Sequence, residues 1–455
     1  MKKLNHNVYF KIGTIAIIAI LLMLPSSMIM QLIRERERIQ QQAIWEVSSK
    51  WGNSQTITGP ILTIPYDRYY TKTIGEGKNE KEETYKVKEY RHFLPKSLNI
   101  KGTILPKKKN RSIYEIVLYK SNFKIKGEFD KIDFQKLDIK KENIHFDKAT
   151  INIGISDLKG IEKQIELNWA KEKSLFNPGT ATNDIISSGI NCHVNLNADE
   201  LEKTFPFNIT IDLKGSQNIN FIPVGKSTKV NLSSNWANPS FDGNYLPEPS
   251  NVTPKGFNAT WNIFHLNRNY PQSWVGSAYN VNSSAFGVNL LLPVDSYQKT
   301  TRVAKYAFLL IALTFLVFFF VEVIRKVFIH PIQYILVGIA LIVFYTLLLS
   351  FSEHMLFNYA YILSAILTIG LISWYVKVIL KMWNLTILMS GILLILYSFI
   401  FTIIQVQDYA LLIGSIGIFI ILALVMYFSK NIDWGQLKKD NKTKTKEIET
   451  ENDLS

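Results

Sequence analysis

Side chains able to ligate a metal or act as nucleophiles are few and scattered. The chain has seven histidines and one cysteine, and no HExxH, the spacing that sets two imidazoles on one helix face around zinc. Cys192 and His193 adjoin, but neighbours on a strand point to opposite faces, so the pair cannot hold one ion together. Gly225-Lys226-Ser227 has the ending of a phosphate-binding loop, whose first glycine should stand at 220; Asn220 is there instead. Ser121-Asn122-Phe123-Lys124 fits the Ser-x-x-Lys pattern of a serine nucleophile, which needs a helix start, and its flanks alternate as a strand does. No metal, cofactor or catalytic residue is expected, and the chain reads as a non-enzyme.

Two other places carry chemistry of recognition. Between Ser234 and Pro247 lie Trp236, Pro239, Phe241, Asp242, Gly243 and Tyr245, three aromatics among prolines, asparagines and glycine in a loop-like stretch after a strand. Such a segment would stack a sugar ring or a partner's side chain, or else plug the end of a β-sandwich. Glu353 and His354 fall in a short link between two apolar runs. An ionisable group in mid-membrane marks an ion path. Here Lys305, Glu322, Glu353, His354, Lys377 and Asp408 all stand at run ends, which argues against a proton-coupled pump.

The elements that position these residues follow from hydropathy. Mean hydropathy is +0.07 although 19% of the 455 residues are charged, so the apolar residues must be gathered into blocks. Six runs appear, at 12–33, 306–323, 332–351, 356–376, 385–404 and 409–428, each near the ~20 residues that cross a bilayer as a helix. The first is too long for a cleavable signal and reads as an uncleaved anchor that Pro25 would kink. A soluble enzyme, a disordered chain and a coiled coil are excluded.

Loop charge sets the orientation. The 324–331 loop carries Arg325 and Lys326, and the 377–384 loop carries Lys377 and Lys381. The Ser352–Met355 and Gln405–Gln407 loops carry no Lys or Arg. Lys and Arg stay cytoplasmic, so both termini are expected inside, with residues 34–303 outside between spans one and two. Arg34, Arg36 and Arg38 oppose this, but they are interleaved with Glu35 and Glu37. The polar tail 430–455 has too little apolar surface to order itself.

Within 34–303 the net charge is +9, from 37 basic and 28 acidic residues. That would attract anionic lipid, polysaccharide or phosphate without specificity. The Lys107-Lys108-Lys109 run reads as a solvated loop tip. Residues 34–50 continue span one as a helix. After them the period becomes two, as in Ile151, Ile153, Ile155 and Phe207, Ile209, Ile211, Leu213. The expectation is an antiparallel β-sandwich, single or split in two near Asn177-Pro178-Gly179-Thr180. A single cysteine permits no internal disulfide, so this domain must be held by its own core.

Several segments in order resemble the CreD family of bacterial inner-membrane proteins: Gly59-Pro60-Ile61-Leu62-Thr63-Ile64-Pro65-Tyr66, the stretch from Trp236 to Pro247, residues 305–315, and His330-Pro331-Ile332-Gln333-Tyr334 through Ser352-Glu353-His354. The resemblance implies a role in cell-envelope integrity and carries over no catalytic residue, cofactor or ligand. It raises interest in the Trp236 stretch and in Glu353 and His354.

The expected class is thus a polytopic inner-membrane protein of six spans, with a large periplasmic β-sandwich domain between the first two. Five spans beyond the first exceed what anchoring needs. Its partners would be the lipid bilayer and an envelope polysaccharide, lipid or membrane protein, not nucleic acid. An insertase or lipid transporter shares this layout, but an insertase relies on a cationic groove in the bilayer, and no Arg or Lys lies mid-span. An envelope-modifying enzyme is the third reading.

Overall fold

The structure, a computed structural model, describes residues 8–74, 81–132, 139–170, 172–196, 203–292, 296–325, 327–406 and 409–430. Lys326, Asp408 and the tail from 431 onward, named above for loop charge, a helix start and lack of order, lie outside the described residues. The chain forms two compact units, Met1–Ile39 with Val294–Ser455, and Gln40–Pro293.

The helices are α1 (Val8–Leu21), α2 (Met23–Trp51), α3 (Ser296–Lys305), α4 (Ala307–Arg325), α5 (Pro331–Ser352), α6 (Phe357–Leu380), α7 (Trp383–Gln405) and α8 (Ala410–Ser429). Among the described residues six helices are long and apolar enough to cross a membrane, with α1 and α2 counting as one rod from Phe10 to Trp51. That rod breaks at Leu22 because Pro25 has no N–H to give to the Leu21 carbonyl one turn back. Its second half runs on through the charged 34–50 stretch, as the sequence suggests. Helix α3 was not anticipated. Its buried residues Tyr297, Thr300, Val303 and Ala304 recur every three or four positions, but half of that stripe is polar-headed and escapes an apolar count.

Two glycines of the helices are packing positions. A methyl group at Gly338 would meet Leu22 Cδ1 at 2.2 Å, and one at Gly417 would meet the Phe399 ring at 2.1 Å. At Gly370, Gly391 and Gly414 it would meet nothing within 4 Å. Ala360 and Ser364 are fully buried, with the Ser364 hydroxyl donating to the Ala360 carbonyl at 2.8 Å. Trp374, Trp383 and Tyr409 are exposed at the helix ends, where anchoring aromatics belong.

The other unit carries β1 (Gln55–Ile74), β2 (Lys81–Phe93), β3 (Ser97–Arg111), β4 (Tyr114–Phe129), β5 (Thr150–Ile155), β6 (Glu166–Trp169), β7 (Glu172–Leu175), β8 (Asn177–Pro178), β9 (Gly189–His193), β10 (Phe205–Ser216), β11 (Asn218–Ile222), β12 (Ser227–Ser234), β13 (Pro239–Gly243), β14 (Ser250–Thr253), β15 (Gly256–Phe264), β16 (Ser273–Val275) and β17 (Phe286–Leu290). They make a nine-stranded sheet, β13-β17-β11-β1-β5-β9-β8 with β2 and β16 continuing from β1, and an eight-stranded sheet, β14-β15-β12-β3-β4-β10-β6-β7. Pairing is antiparallel except at β1–β11 and β3–β12.

The two inner faces share one apolar core, from Ile57 and Leu62 through Phe123, Ile209 and Phe221 to Trp261 and Val288. The sandwich is therefore single. The Asn177 turn is where the chain leaves β7 in one sheet for β8 in the other. The Gly59–Tyr66 motif is the inner length of β1. Its pairing with β5 slips between Thr58 and Ile61, where Pro60 has no N–H to give and Gly59 takes φ +121° against the Asn152 carbonyl. Lys107–Lys109 are exposed as expected, but they lie in paired strand, since the β3–β4 ribbon runs on to Arg111 and Tyr114.

Candidate functional site

The Trp236–Tyr245 stretch is built from side chains that lean back onto the core. Residues Pro239–Gly243 are not loop but β13, the edge strand of the larger sheet, in register with Leu290 to Phe286. A strand of five residues with two half-exposed faces has too short an alternation to show in the sequence. Phe241 sits edge-on to Phe257 and to Trp261, each at 5.7 Å between centroids. Trp261 Nε1 donates to the Tyr245 carbonyl at 3.0 Å, and Trp236 Nε1 donates to the Leu291 carbonyl at 3.0 Å. Asp242 accepts from Asn289 Nδ2 at 3.1 Å and caps the Gly243 N–H at 2.7 Å. Gly243 has φ +95°, and a Cβ there would meet the Ala285 carbonyl at 2.3 Å.

Three large apolar side chains of the adjoining segments are exposed. Tyr245 Oη donates to the Asn267 carbonyl at 2.7 Å and so draws two segments together. The neighbours of that bond in sequence, Leu246 and Leu266, are 74% and 85% exposed, among the most exposed large apolar residues in the β-unit, and Phe264 is 56% exposed. Sequence reading missed Leu246, Phe264 and Leu266, since a lone leucine in a polar loop carries no period.

Glu353 and His354 part company. Glu353 ends α5, accepts from Tyr297 Oη at 2.9 Å and lies 3.8 Å from Arg36 Nε, with its side chain only 12% exposed. His354 is exposed. This cluster accounts for Arg36, one of the three charges that stood against the loop pattern.

A second cluster, not foreseen, closes the far end of the same helices. Lys11 Nζ bonds the Glu322 carboxylate and donates to the Ile329 carbonyl at 2.8 Å, 4.4 Å from the Phe328 ring centre. Glu322 also accepts from the Ile329 N–H at 3.3 Å and from Tyr334 Oη at 3.0 Å. Lys11 and Glu322 are 311 positions apart and are both buried, so sequence places each at a span end but not together. From Lys11 to Arg36 is about 37 Å of helix at ~1.5 Å per residue, so the two clusters mark opposite ends of the bundle.

In the β-unit a third polar chain lies on the outer face of the larger sheet. His92 Nδ1 is 3.0 Å from Thr63 Oγ1 and its Nε2 is 3.1 Å from Asp184, while Asn152 bonds Thr63 Oγ1 and accepts from the Ala181 N–H. Asn152 and Gly154, which alternate with the core residues Ile151, Ile153 and Ile155, are buried because residues 179–188 strap this face. The triad-like order serves to fasten the strap: Thr63 and His92 are 2% and 1% exposed.

Burial holds the His92 pKa below its ordinary value, and the Asp184 carboxylate offsets part of that. A histidine with a depressed folded pKa binds fewer protons than the unfolded chain does, so stability falls as pH drops below about 6.5. Denaturation of the full chain followed by tryptophan fluorescence should show this loss between about pH 7.5 and pH 5.5. His92→Gln should flatten it; an unchanged slope would contradict this role.

The remaining sequence candidates are structural. Cys192 is buried, which pushes its thiol pKa up, and His193 faces the other way and is exposed. Ser121 lies in β4 and donates to the Leu213 carbonyl at 2.8 Å. The N–H groups of Gly225 and Lys226 are taken by Thr228 Oγ1 and the Pro95 carbonyl. No three His, Cys, Asp or Glu converge among the described residues.

Comparison with known proteins places this geometry. The family model described as "Inner membrane protein CreD" matches residues 7–435. A curated protein of Escherichia coli strain K12, "Inner membrane protein CreD", is 30% identical over 457 aligned positions, 99% of each chain.

Proposed function

The chain belongs to the CreD family of inner membrane proteins, and from that premise we propose that it is a non-catalytic protein of cell-envelope integrity. Its β-unit faces the periplasm and binds an envelope component, while the helices anchor it and relay its state inward. Both termini lie in the cytoplasm. The observation that carries the reading is the exposure of Leu246, Phe264 and Leu266 on the segments that the Tyr245–Asn267 bond draws together, with Trp236, Phe241 and Tyr245 anchored. Rings fixed by hydrogen bonds, with exposed apolar neighbours, suit a sugar face or an apolar protein or lipid surface at little ordering cost. The Lys11 cluster supports the orientation, since it adds a cation to the Arg325 side, while Arg36 on the Ser352–Met355 side is paired with Glu353.

Leu246→Ser with Leu266→Ser should leave melting of the purified protein unchanged, as exposed substitutions shift stability by about 0.5 kcal/mol or less. The same variant should fail to restore envelope integrity in cells lacking the protein. A photo-crosslinker at Leu246 should capture one envelope component that the same group at Lys229 does not. Full complementation by the double variant, or equal capture at both positions, would refute the reading.

A lipid-handling role is the second reading. An apolar cavity of about 490 Å³ lies between α1, α4 and α8, lined by Ile15, Ala19, Phe308, Phe315, Phe319 and Val425. It is sized for an acyl chain.

A further inference from the structure

The β1–β2 ribbon changes character where it leaves the sandwich. Along one face of β1, Ile64 and Tyr66 are in the core and Arg68 is in solvent, while β2 sets Arg91 opposite Ile64 and Glu89 opposite Tyr66. At this transition lies a polar cavity of about 690 Å³, walled by Tyr66, Asp67, Arg68 and Arg91 from the ribbon, by Lys140 and Asn143 at a short helical turn over Lys141–Asn143, and by Val275 from β16. That volume falls within the range of small-molecule sites, whereas most such sites are chiefly apolar.

The charges around the cavity are unequally satisfied. Asp67 is matched by Lys86 at 3.2 Å and His145 at 3.0 Å. Glu89 accepts from the Tyr66 and Tyr70 hydroxyls, lies 3.7 Å from Arg68, and with burial pushes the Tyr66 pKa to about 12, so that phenol stays protonated. Glu142 is exposed at the rim. Arg91 is different. Among the described residues its Nε is shut off from solvent with no acceptor, and its one side-chain hydrogen bond is from Nη2 to Ser273 Oγ at 3.4 Å. No carboxylate among the described residues lies within 4.0 Å of it, and burial disfavours its charged form. A half-buried guanidinium whose Nε has lost water and gained no acceptor is costly, and an anion bound in the cavity would supply the partner.

We propose that this cavity binds a small oxyanion-bearing molecule, a phosphate or a carboxylate, held by Arg91 with Arg68 and Lys140 contributing charge. The planar fork of arginine fits both groups through two parallel N–H···O bonds. The site is distinct from the Leu246–Leu266 surface and stands or falls independently of it.

The test uses the full chain in non-ionic detergent, titrated calorimetrically with inorganic phosphate and, separately, with malonate. Binding of either probe, weakened about tenfold or more by Arg91→Met and several-fold by Lys140→Gln, supports the site. The stronger probe tells phosphate from carboxylate. Melting without probe should be unchanged or raised for Arg91→Met, because an uncompensated charge is removed. The site is refuted if neither probe binds the unmodified chain, if Arg91→Met binds as tightly, or if Arg91→Met melts lower, which would make the residue structural.

Discussion

Glu322→Ala is expected to destabilise the helical unit by about 3–5 kcal/mol, the typical loss when one partner of a buried ion pair is removed. The substitution leaves the Lys11 ammonium buried with only the Ile329 carbonyl, and takes the acceptor from Tyr334 Oη and from the Ile329 N–H. It also removes the tie between the start of α1 and α4. The double variant Lys11→Met with Glu322→Leu should recover most of that loss, since apolar replacement of both partners removes the desolvation penalty along with the attraction. Unfolding of the unmodified chain, Lys11→Met, Glu322→Leu and the double variant in detergent gives the coupling directly. Additive losses would show that the pair does not act as a unit.

Trp261→Ala should cost the β-unit about 3–5 kcal/mol, the range for large aromatic truncations in a core. Trp261 is 1% exposed, and Phe241 and Phe286 pack on it at 5.7 and 5.6 Å. Its Nε1–H is also the donor that holds the Tyr245 carbonyl. Removing it leaves a cavity and unties the stretch that carries Leu246, so amide exchange should rise first in Pro239–Tyr245 and then in β15. Phe241→Ala should cost less, because that ring is only half-buried at the sheet edge. Equal melting of Trp261→Ala and the unmodified chain would mean that the sandwich does not close over this ring.

What the sequence discloses here depends on repetition. Six apolar runs and the period-two stretches repeat their signal many times, and so the spans, the helical extension to Trp51 and the strands of the sandwich are legible. The Asn177 turn is visible, but whether it divides two cores or joins two sheets depends on partners far along the chain. The same holds for the polar clusters. Thr63, His92 and Asp184 lie in a strand, another strand and a strap, and Lys11 and Glu322 in different helices; nothing local distinguishes them. Asn152 looks solvent-facing by alternation because the strap over it has no period of its own. At the Trp236 stretch the residue types are visible, while the strand β13 and the inward lean of Phe241 come from pairing with β17. Arg91 is one of several basic residues in a charged ribbon, and only the lack of a carboxylate partner among the described residues sets it apart.

The central claim is the alternation of six spans that puts Ser352–Met355 on the side of the β-unit's attachment and the α6–α7 link on the other. Cysteine accessibility in intact cells tests it most directly, with little background because Cys192 is 1% exposed. His354→Cys should react with a membrane-impermeant maleimide from outside, and Met382→Cys should react only after the inner membrane is opened. Labelling of Met382→Cys in intact cells with His354→Cys protected would contradict the topology, and with it the periplasmic placement on which the proposed function rests.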